Sequence, residues 1–488
     1  MKKFLRDEMF GMPRWVWGIL LFTLCMQYIL SARLELSFDE AYYWLWAKNL
    51  QLSYYDHPPM VALLIAASTS VFGNAEWAVR FFSPLMQCGA ALLLAKAVQD
   101  FGGDKKAQIM AALFLPVTIL GYVLFITTPD TPLMFFATLM LFTLARFYKT
   151  QNRNWWLAIG AAGGLALLSK YTAIMLFAGV FIWLVSSPRR RNEFRQLKLW
   201  AGLLLSAIIF SPVLIWNLQN GGASFFKQAG RFDFLSVWTR FMLDDFLAGQ
   251  VILITPLLLA LVVYATVLQF KKMRTGESRA VLLCALALPT ILIIGLLSCL
   301  RKVEANWALI SLPPLIVMTA LSASEKWPEM KNFTRVAFAS GGALVACMLL
   351  YLFIPFSHSY VNVDISQRLS GHRRVADNLA KFAEKSNACL VVTADYATNA
   401  LMAYYLHGRY DVVQITQSER YTSWQRPDMK DCFGRNVLAV SQIKHANAEN
   451  EFRAALGNLE QLAVLRRAHR GVYVQDYNLF EAKLALVP

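Results

Sequence analysis

The composition of this chain excludes an ordinary soluble protein. Of its 488 residues, 57% are hydrophobic and 16% are charged, whereas soluble domains average roughly 45–50% and about 25%. A formal charge of +16 would suit nucleic acid if the basic residues formed one patch, but they are spread over many short segments. We therefore expect a membrane protein with no nucleic-acid partner.

Eleven apolar segments follow one another between Trp15 and about Pro355. At roughly 17–22 residues, such segments are long enough to cross a hydrocarbon core of about 30 Å. They predict a mainly α fold, a polytopic bundle of membrane helices with lipids as its surroundings. The expected spans are 15–32, 77–97, 107–124, 131–147, 155–170, 171–187, 199–216, 249–270, 280–298, 304–323 and 336–355.

The placement of Lys and Arg predicts the orientation. One set of connecting segments carries 21 of them, and the opposite set carries 9 over a much longer stretch. By the positive-inside rule the first set is cytoplasmic. We expect a multi-pass protein of the bacterial inner membrane with a cytoplasmic N terminus and, after an odd number of spans, an extracytoplasmic C terminus. The basic segments are 1–14, 99–106, 146–154, 188–198, 271–279 and 324–335.

Two apolar runs need separate interpretation. The first, from Trp15 to about Leu30, follows a basic N terminus and could be a signal peptide, although its length favours a retained anchor. The run from Met60 to Phe72 is short and is interpreted as a re-entrant or interfacial helix. If it crossed the membrane, every later loop would change side, against the charge distribution.

Composition changes after Pro355, which predicts two domains. Residues 1–355 form a transmembrane catalytic domain with a first external loop at 33–76, and residues 356–488 form a soluble, extracytoplasmic α/β domain. Within the latter, helices are expected at 371–385 and 398–407, and strands at 390–393, 412–415, 437–440 and 472–474.

Two of the seven cysteines, Cys389 and Cys432, lie in this C-terminal domain. Outside the cytoplasm they could form a disulfide. Two unpaired thiols are the alternative.

The first external loop concentrates acidic and aromatic residues directly after a span. Asp39 and Glu40 stand at the membrane boundary, where carboxylates are costly unless hydrated, paired or functional. Tyr42 and Tyr55 belong to a group of aromatic residues that suits either the headgroup belt or a platform for a sugar. Both interpretations stay open.

A further carboxylate and several cations are expected on the same side. Asp130 lies between Pro129 and Pro132, so it suits a helix cap, and a cap can also orient a substrate. Cations at span ends usually snorkel to the interface, but several together could bind a phosphate. These cations are Lys170, Lys227, Arg231, Arg301 and Lys302.

Together these residue types suggest one reaction. A carboxylate takes a proton from an acceptor hydroxyl, while cations hold a lipid-linked phosphate that departs as the leaving group. The sequence has no Gly-x-Ser-x-Gly elbow, Walker A loop or dinucleotide fingerprint. His57 is the only histidine before the C-terminal domain, which excludes a three-histidine zinc site in the membrane region.

Five short motifs in order carry a resemblance that covers nearly the whole chain. The chain resembles the glycosyltransferase C superfamily, in particular its bacterial branch related to protein O-mannosyltransferases and the lipid A aminoarabinose transferase. The matching motifs are Asp39-Glu40, Tyr55-Asp56-His57-Pro58-Pro59, Thr128-Pro129-Asp130, Ser169-Lys170-Tyr171 and Glu304-Ala305-Asn306-Trp307.

The resemblance implies an inverting transfer from a polyprenyl-phosphate-sugar donor to an envelope acceptor, which is a lipid A-like molecule, another glycan or a protein. Asp39 would be the base or would position the acceptor, and Asp130 would be a second essential carboxylate. Glu40 would be a third catalytic residue. The other implied contacts are Lys170, Arg301, Lys302, His57 and Asp56 for the donor phosphate, and Tyr42, Tyr55, Glu304 and Asn306 for the acceptor or sugar.

The sequence also bears on cofactors and on alternative functions. No cofactor is expected, although Asp39, Glu40 and Asp130 could together hold a divalent cation. A transporter or lipid flippase would also have many spans, but the ionisable residues gather at one face and no internal repeat is evident. A non-catalytic envelope scaffold is a further alternative.

Overall fold

The computed structural model describes residues 8–9, 11–230, 241–354, 365–421, 429–469 and 471–484. Most of the described residues are helical, as the sequence predicts. The helices are α1 (Arg14–Arg33), α2 (Phe38–Lys48), α3 (Met60–Phe72), α4 (Glu76–Val79), α5 (Phe82–Asp100), α6 (Lys105–Phe114), α7 (Ile119–Val123), α8 (Asp130–Thr150), α9 (Trp155–Ser169), α10 (Ile174–Val185), α11 (Pro188–Arg191), α12 (Leu197–Gln219), α13 (Ala223–Ala229), α14 (Phe241–Ile254), α15 (Pro256–Arg274), α16 (Ser278–Leu300), α17 (Leu312–Glu325), α18 (Trp327–Phe353), α19 (Ile365–Arg368), α20 (His372–Lys385), α21 (Tyr396–Tyr405) and α22 (Ala448–Leu456). The strands are β1 (Glu8–Met9), β2 (Met12–Pro13), β3 (Val391–Thr393), β4 (Val412–Gln414), β5 (Asn436–Gln442), β6 (Glu460–His469) and β7 (Val472–Lys483).

The expected architecture, a polytopic helical bundle with a C-terminal α/β region, is confirmed. Within the described ranges, eight helices are long and apolar enough to cross a membrane, or nine if the pair that bends by 117° after Val185 counts as one span. Three expected spans are short or broken: 107–124 contains both α6 and α7, 155–170 is the 15-residue α9, and 171–187 belongs to the bent pair. The number of eleven therefore stays a prediction.

The expected span at 249–270 is interrupted in its first third. Thr255 has a φ of +73° between α14 and α15, a conformation that β-branched residues rarely adopt. Pro256 then opens α15, where the lack of an N–H group costs nothing because the first amides of a helix have no partner within it. A local pair of residues thus breaks an otherwise continuous apolar pattern.

The chain divides into two compact units. The first comprises Met1–Ile29, Asp56–Val61 and Phe81–Leu349, and the second comprises Leu30–Tyr55, Ala62–Arg80 and Leu350–Pro488. Most of the expected loop 33–76 thus belongs with the C-terminal segment. The expected domain boundary near residue 355 lies outside the described residues, so it stays a prediction.

In the first unit, glycines allow α9 and α12 to pack backbone against backbone. A methyl group placed on Gly160 would lie 1.9 Å from the carbonyl oxygen of Gly202. One on Gly202 would lie 2.2 Å from the carbonyl oxygen of Trp156. Small residues at such crossings are typical of membrane helices, whose association depends on close packing.

In the second unit, a five-stranded mixed sheet has the order β4-β3-β5-β7-β6. Strand β3 is parallel to β4 and β5, and β7 is antiparallel to β5 and β6. The expected strands and the two expected helices are present with shifted ends, whereas β6 and α22 were not expected. A disulfide joins Cys389 to Cys432, with 5.7 Å between their Cα atoms, so the paired alternative is confirmed.

Candidate active site

The first unit brings Asp130, Lys170 and Asn306 together. Asp130 is the first residue of α8, so Pro129 and not Asp130 is the cap, and a carboxylate there is favoured by the helix dipole. Its Oδ1 accepts a hydrogen bond from the Lys170 ammonium and its Oδ2 accepts one from the Asn306 amide, both at 2.7 Å. Three motifs that are far apart in the sequence thus meet at one carboxylate.

A break in the helical backbone places Lys170. Helix α9 ends at Ser169, and Lys170 itself is extended, with φ −158° and ψ +141°. Its side chain is 10% exposed and that of Asp130 is 5% exposed. A largely buried ion pair needs both partners, because loss of one leaves the other charge uncompensated.

A cavity of about 180 Å³ adjoins this cluster. Its wall is mostly apolar, and Lys170 is the one charged residue among the described residues that line it. The Thr290 hydroxyl also lines the cavity, is buried and has no hydrogen-bond partner among the described residues. An apolar cavity with a cation at its edge suits an amphiphile with an anionic head. The lining residues are Lys170, Tyr171, Thr172, Ile174, Met175, Gln228, Thr290, Ile293, Ile294 and Trp307.

The other residues expected near donor phosphate have different surroundings. The Arg301 guanidinium donates to the carbonyl oxygen of Gly230 at 2.7 Å. Lys302 lies 3.5 Å from Glu304, and both side chains are mostly exposed. Their phosphate and sugar contacts stay predictions, and Arg231 lies outside the described residues.

The Asp56-His57 pair also belongs to the first unit. The carbonyl oxygen of Asp56 accepts a hydrogen bond from the Gln228 amide at 2.7 Å, which ties this segment to α13. Asp56 is buried and His57 is half-buried. Gln228 also lines the cavity, so this hydrogen bond joins a residue of the cavity wall to the Asp56-His57 motif.

In the second unit, Asp39 and Glu40 lie in the first turn of α2 but have different surroundings. Ser37 caps the helix, and its side chain and the Glu40 side chain form a reciprocal capping box. Glu40 is fully buried, and its carboxylate receives two hydrogen bonds from Arg80, at 2.6 and 2.7 Å. Asp39 is half-buried in the first turn. The geometry of Glu40 is that of a structural anchor, so its expected catalytic role gains no support.

Arg80 is the residue that sequence reasoning missed. It is fully buried, and besides Glu40 it donates to the carbonyl oxygens of Ser31, Leu34 and Glu35. It therefore fixes the backbone that leads into α2. An Arg at the start of an apolar span usually snorkels to the interface. The one sequence feature that pointed to an ion pair for Arg80 was Glu40, an acidic residue of the preceding loop that had no assigned partner.

Tyr42 is buried within an aromatic cluster of the second unit. Its ring centroid lies 4.9 Å from that of Trp46 and 5.5 Å from that of Tyr396, and the residue is 2% exposed. A ring so covered packs a core and does not face headgroups, and its expected contact with the acceptor or sugar gains no support from this position. Tyr55 is half-buried, and its expected sugar contact stays a prediction.

Within the described ranges, no group of three or more His, Cys, Asp or Glu residues is placed to hold a metal ion. The expectation that no cofactor is needed stays a prediction.

Comparison with known proteins places the chain in a family. A family model described as dolichyl-phosphate-mannose-protein mannosyltransferase matches residues 56–216. The lipid A galacturonosyltransferase RgtD of Rhizobium johnstonii is 30% identical over 369 residues, which are 73% of this chain and 74% of that protein.

Solved structures agree on the fold. Crystal structures of ArnT from Cupriavidus metallidurans, in the apo state and bound to undecaprenyl phosphate, match with TM-scores of 0.63 and 0.61 at 16% and 14% identity. Each match covers 97% of this chain and 99% of that one. The similarity to RgtD and the match to the mannosyltransferase family model confirm the expected enzyme class, a polyprenyl-phosphate-sugar-dependent glycosyltransferase, over a transporter or flippase. By its similarity to RgtD the chain belongs to the glycosyltransferase C superfamily, in the bacterial branch related to protein O-mannosyltransferases and the lipid A aminoarabinose transferase.

Proposed function

We propose that this enzyme transfers a sugar from an undecaprenyl-phosphate-linked donor to lipid A or a closely related envelope lipid, on the periplasmic face of the inner membrane. The observation that carries the proposal is the Asp130–Lys170–Asn306 cluster at the edge of an apolar cavity. The lipid A acceptor is supported by the relative RgtD, which is a lipid A galacturonosyltransferase.

Lys170 holds the phosphate of the donor. An ammonium group has three N–H donors, and Asp130 accepts one of them. When the bond between the sugar and the phosphate oxygen breaks, the leaving polyprenyl phosphate gains negative charge, which a nearby cation stabilises. Asp130 and Asn306 keep the ammonium group in place, and the apolar cavity takes the first part of the polyprenyl chain.

Asp39 acts on the acceptor. The acceptor oxygen forms a bond to the anomeric carbon from the side opposite the phosphate, the carbon–oxygen bond to the phosphate breaks, and the acceptor proton passes to the Asp39 carboxylate. The configuration of the sugar is inverted. Glu40, held by Arg80, fixes the first turn of α2 and so supports Asp39 from the adjacent position.

The remaining predicted residues serve as secondary contacts in this proposal. His57, Asp56, Arg301 and Lys302 lie along the donor headgroup, and Tyr55, Glu304 and Asn306 lie along the sugar. The N terminus is cytoplasmic and the C-terminal region is periplasmic.

The test is a transfer assay with purified protein. The donors are undecaprenyl-phosphate derivatives of galacturonic acid, aminoarabinose and mannose, the acceptor is purified lipid A, and mass spectrometry detects the product. We expect wild type to extend lipid A with one of these sugars and Asp39→Asn to give no product. Absence of product with every donor, from protein that binds undecaprenyl phosphate, would overturn the lipid A acceptor.

A further inference from the structure

A second cavity, of about 240 Å³, lies entirely within the second unit. Two helices and one strand line it, each with residues that share one face of the element. Helix α2 presents Trp44 and Lys48, α21 presents Asn399 and Ala403, and strand β4 presents Val412 and Gln414. Residues at i and i+4 share a helix face and residues at i and i+2 share a strand face, so each element contributes one face. We call this cavity the α2–α21 cleft.

The α2–α21 cleft differs from the cavity beside Lys170 in its polarity. Amide, imidazole, ammonium and carboxylate side chains line it, contributed by Asn399, His407, Lys48 and Asp411 among others. Lys48 and His407 are exposed, and the His407 ring packs edge-on against Trp44 with 5.1 Å between centroids. Trp44 itself is 2% exposed, so a ligand in the cleft meets mainly the polar side chains. Such a wall of donors and acceptors suits a ligand with several hydroxyl or charged groups.

Buried polar groups at the wall retain hydrogen-bonding capacity. Asn399 is 4% exposed; its oxygen accepts from the Thr393 hydroxyl and its nitrogen donates to the Tyr421 hydroxyl. An Asn amide has two N–H donors and two acceptor positions, so one of each is unused among the residues that the structure describes. Both polar atoms of Asn399 are thus satisfied, and the amide can add a hydrogen bond to a polar ligand without giving up its present ones.

The turn after α21 leaves room at the rim. Gly408 has a φ of +76°, and a methyl group placed on it would meet no atom within 4 Å. Ala403, which also lines the cleft, has a small side chain as well. The space next to Gly408, beside His407, is therefore open to a ligand.

We propose that the α2–α21 cleft binds a pyranose ring of the acceptor saccharide, an inference that rests on the proposed transfer to a glycolipid. Lys48 stands at the opposite end of α2 from Asp39, about 13 Å along the helix axis. A ring held in the cleft is therefore remote from the accepting oxygen, and it selects the acceptor by a part that does not react. Lys48 contacts anionic groups on this ring, while Asn399 and Asp411 contact its hydroxyl or amino groups.

The test measures binding without catalysis. The probe is the water-soluble glucosamine disaccharide phosphate of lipid A without acyl chains, titrated calorimetrically into the purified full-length protein in detergent. We expect wild type to bind it and the double variant Lys48→Ala/His407→Ala to bind at least about tenfold more weakly, the effect of losing hydrogen bonds to charged groups. Both residues are exposed, so folding is retained.

A filling variant and a matched control complete the test. Ala403→Leu should also weaken binding by narrowing the cleft, whereas Lys381→Ala/Lys385→Ala, which removes exposed cations from α20 outside the cleft, should bind like wild type. No binding by wild type, or equal binding by wild type and both cleft variants, would overturn the inference. Failure of the proposed transfer is a separate result, since it appears as absence of product with every donor.

Discussion

At the residue scale, the buried pair of Asp130 and Lys170 allows donor binding to be separated from folding. Lys170→Met leaves a buried carboxylate without its cation, which costs roughly 3–5 kcal/mol. We expect this variant to unfold at a lower temperature in detergent. The double variant Asp130→Asn/Lys170→Met should regain much of that stability because no uncompensated charge remains, yet it should not bind undecaprenyl phosphate.

The matched control for this pair is Lys198→Met, which removes an exposed cation from the first unit. It should change neither the unfolding temperature nor the binding of undecaprenyl phosphate. If the double variant bound this lipid as wild type does, Lys170 would be a structural cation only.

Asp39 and Glu40 are neighbours that should fail in different ways. Glu40→Gln leaves the fully buried Arg80 with a neutral partner, so we expect a loss of unfolding free energy on the order of 3–5 kcal/mol. Asp39→Asn lies at a half-buried helix start and should cost less than about 1 kcal/mol, while transfer is lost.

Thermal unfolding and the lipid A transfer assay, run on both variants, distinguish the two roles. Wild-type turnover by Asp39→Asn would remove it as the base. An unchanged unfolding temperature for Glu40→Gln would show that its ion pair does not support the fold.

The sequence identified the members of the Asp130 cluster but not their contacts. Asp130, Lys170 and Asn306 each stood out as part of a short motif at a span end, and topology put them on one side. Which atoms meet depends on the break at Lys170 and on the start of α8, and both are set by packing between distant helices. Arg80 was missed for the same reason, because its partner lies across a loop and not at helical spacing.

At the element scale, the disulfide between Cys389 and Cys432 should stabilise the C-terminal sheet. It closes a loop with a sequence separation of 43, which corresponds to about 4 kcal/mol in the chain-entropy model. We expect the double variant Cys389→Ser/Cys432→Ser to make this region susceptible to limited proteolysis at lower temperature. Equal susceptibility to wild type, with the other five cysteines intact in both, would contradict this.

His372, at the start of α20, should make the stability of the second unit depend on pH. Burial, with a contribution from the nearby Arg467, lowers the pKa of His372 to about 3. An unfolded histidine titrates near 6.5, so between about pH 6.5 and pH 3 the unfolded chain binds a proton that the folded chain does not. Stability is therefore present above this window and is lost as the pH falls through it, by an amount on the order of a few kcal/mol.

The comparison that isolates this effect is between wild type and His372→Gln. Burial also raises the pKa of the neighbouring Glu35 carboxyl. Just above the ordinary pKa of a glutamate, the folded chain therefore binds a proton that the unfolded chain does not, which stabilises the fold as the pH falls. Because both proteins share this effect, the difference between their stabilities isolates His372. Proteolytic unfolding at pH 7, 5.5 and 4 should show a steeper loss for wild type. Parallel curves would mean that His372 is accessible to protons in the folded state.

The elements that the sequence predicted well have a strong local pattern. Helix α20 and strands β3 to β5 follow helical or β-branched patterns that packing does not override. Strand β6 was missed because its exposed charged side chains, such as Arg466, dilute the alternation that pairing with β7 requires. The break at Thr255 was missed because an apolar run continues through it.

At the scale of the whole molecule, the sequence predicted the class of protein better than its number of spans. Hydropathy and charge placement are properties of long segments, and both indicate a polytopic membrane protein; the enzyme class followed from the short motifs. Whether a short or broken segment crosses the membrane depends on whether neighbouring helices cover its backbone. The three such segments are 107–124, 155–170 and 171–187. Each one that fails to cross would move every later loop to the opposite side.

Single-cysteine labelling tests this topology. In a protein whose five unpaired cysteines are replaced by Ala, we expect Lys381→Cys to react with a membrane-impermeant maleimide in intact spheroplasts. Lys106→Cys, Arg195→Cys and Arg274→Cys should react only after permeabilisation, because they lie in segments that the positive-inside rule assigns to the cytoplasm. Arg195 follows all three uncertain segments and Lys106 precedes them. If Lys106→Cys is protected and Arg195→Cys is labelled in intact spheroplasts, an odd number of the three segments fails to cross. If Lys106→Cys is itself labelled, the proposed orientation is already reversed at residues 99–106.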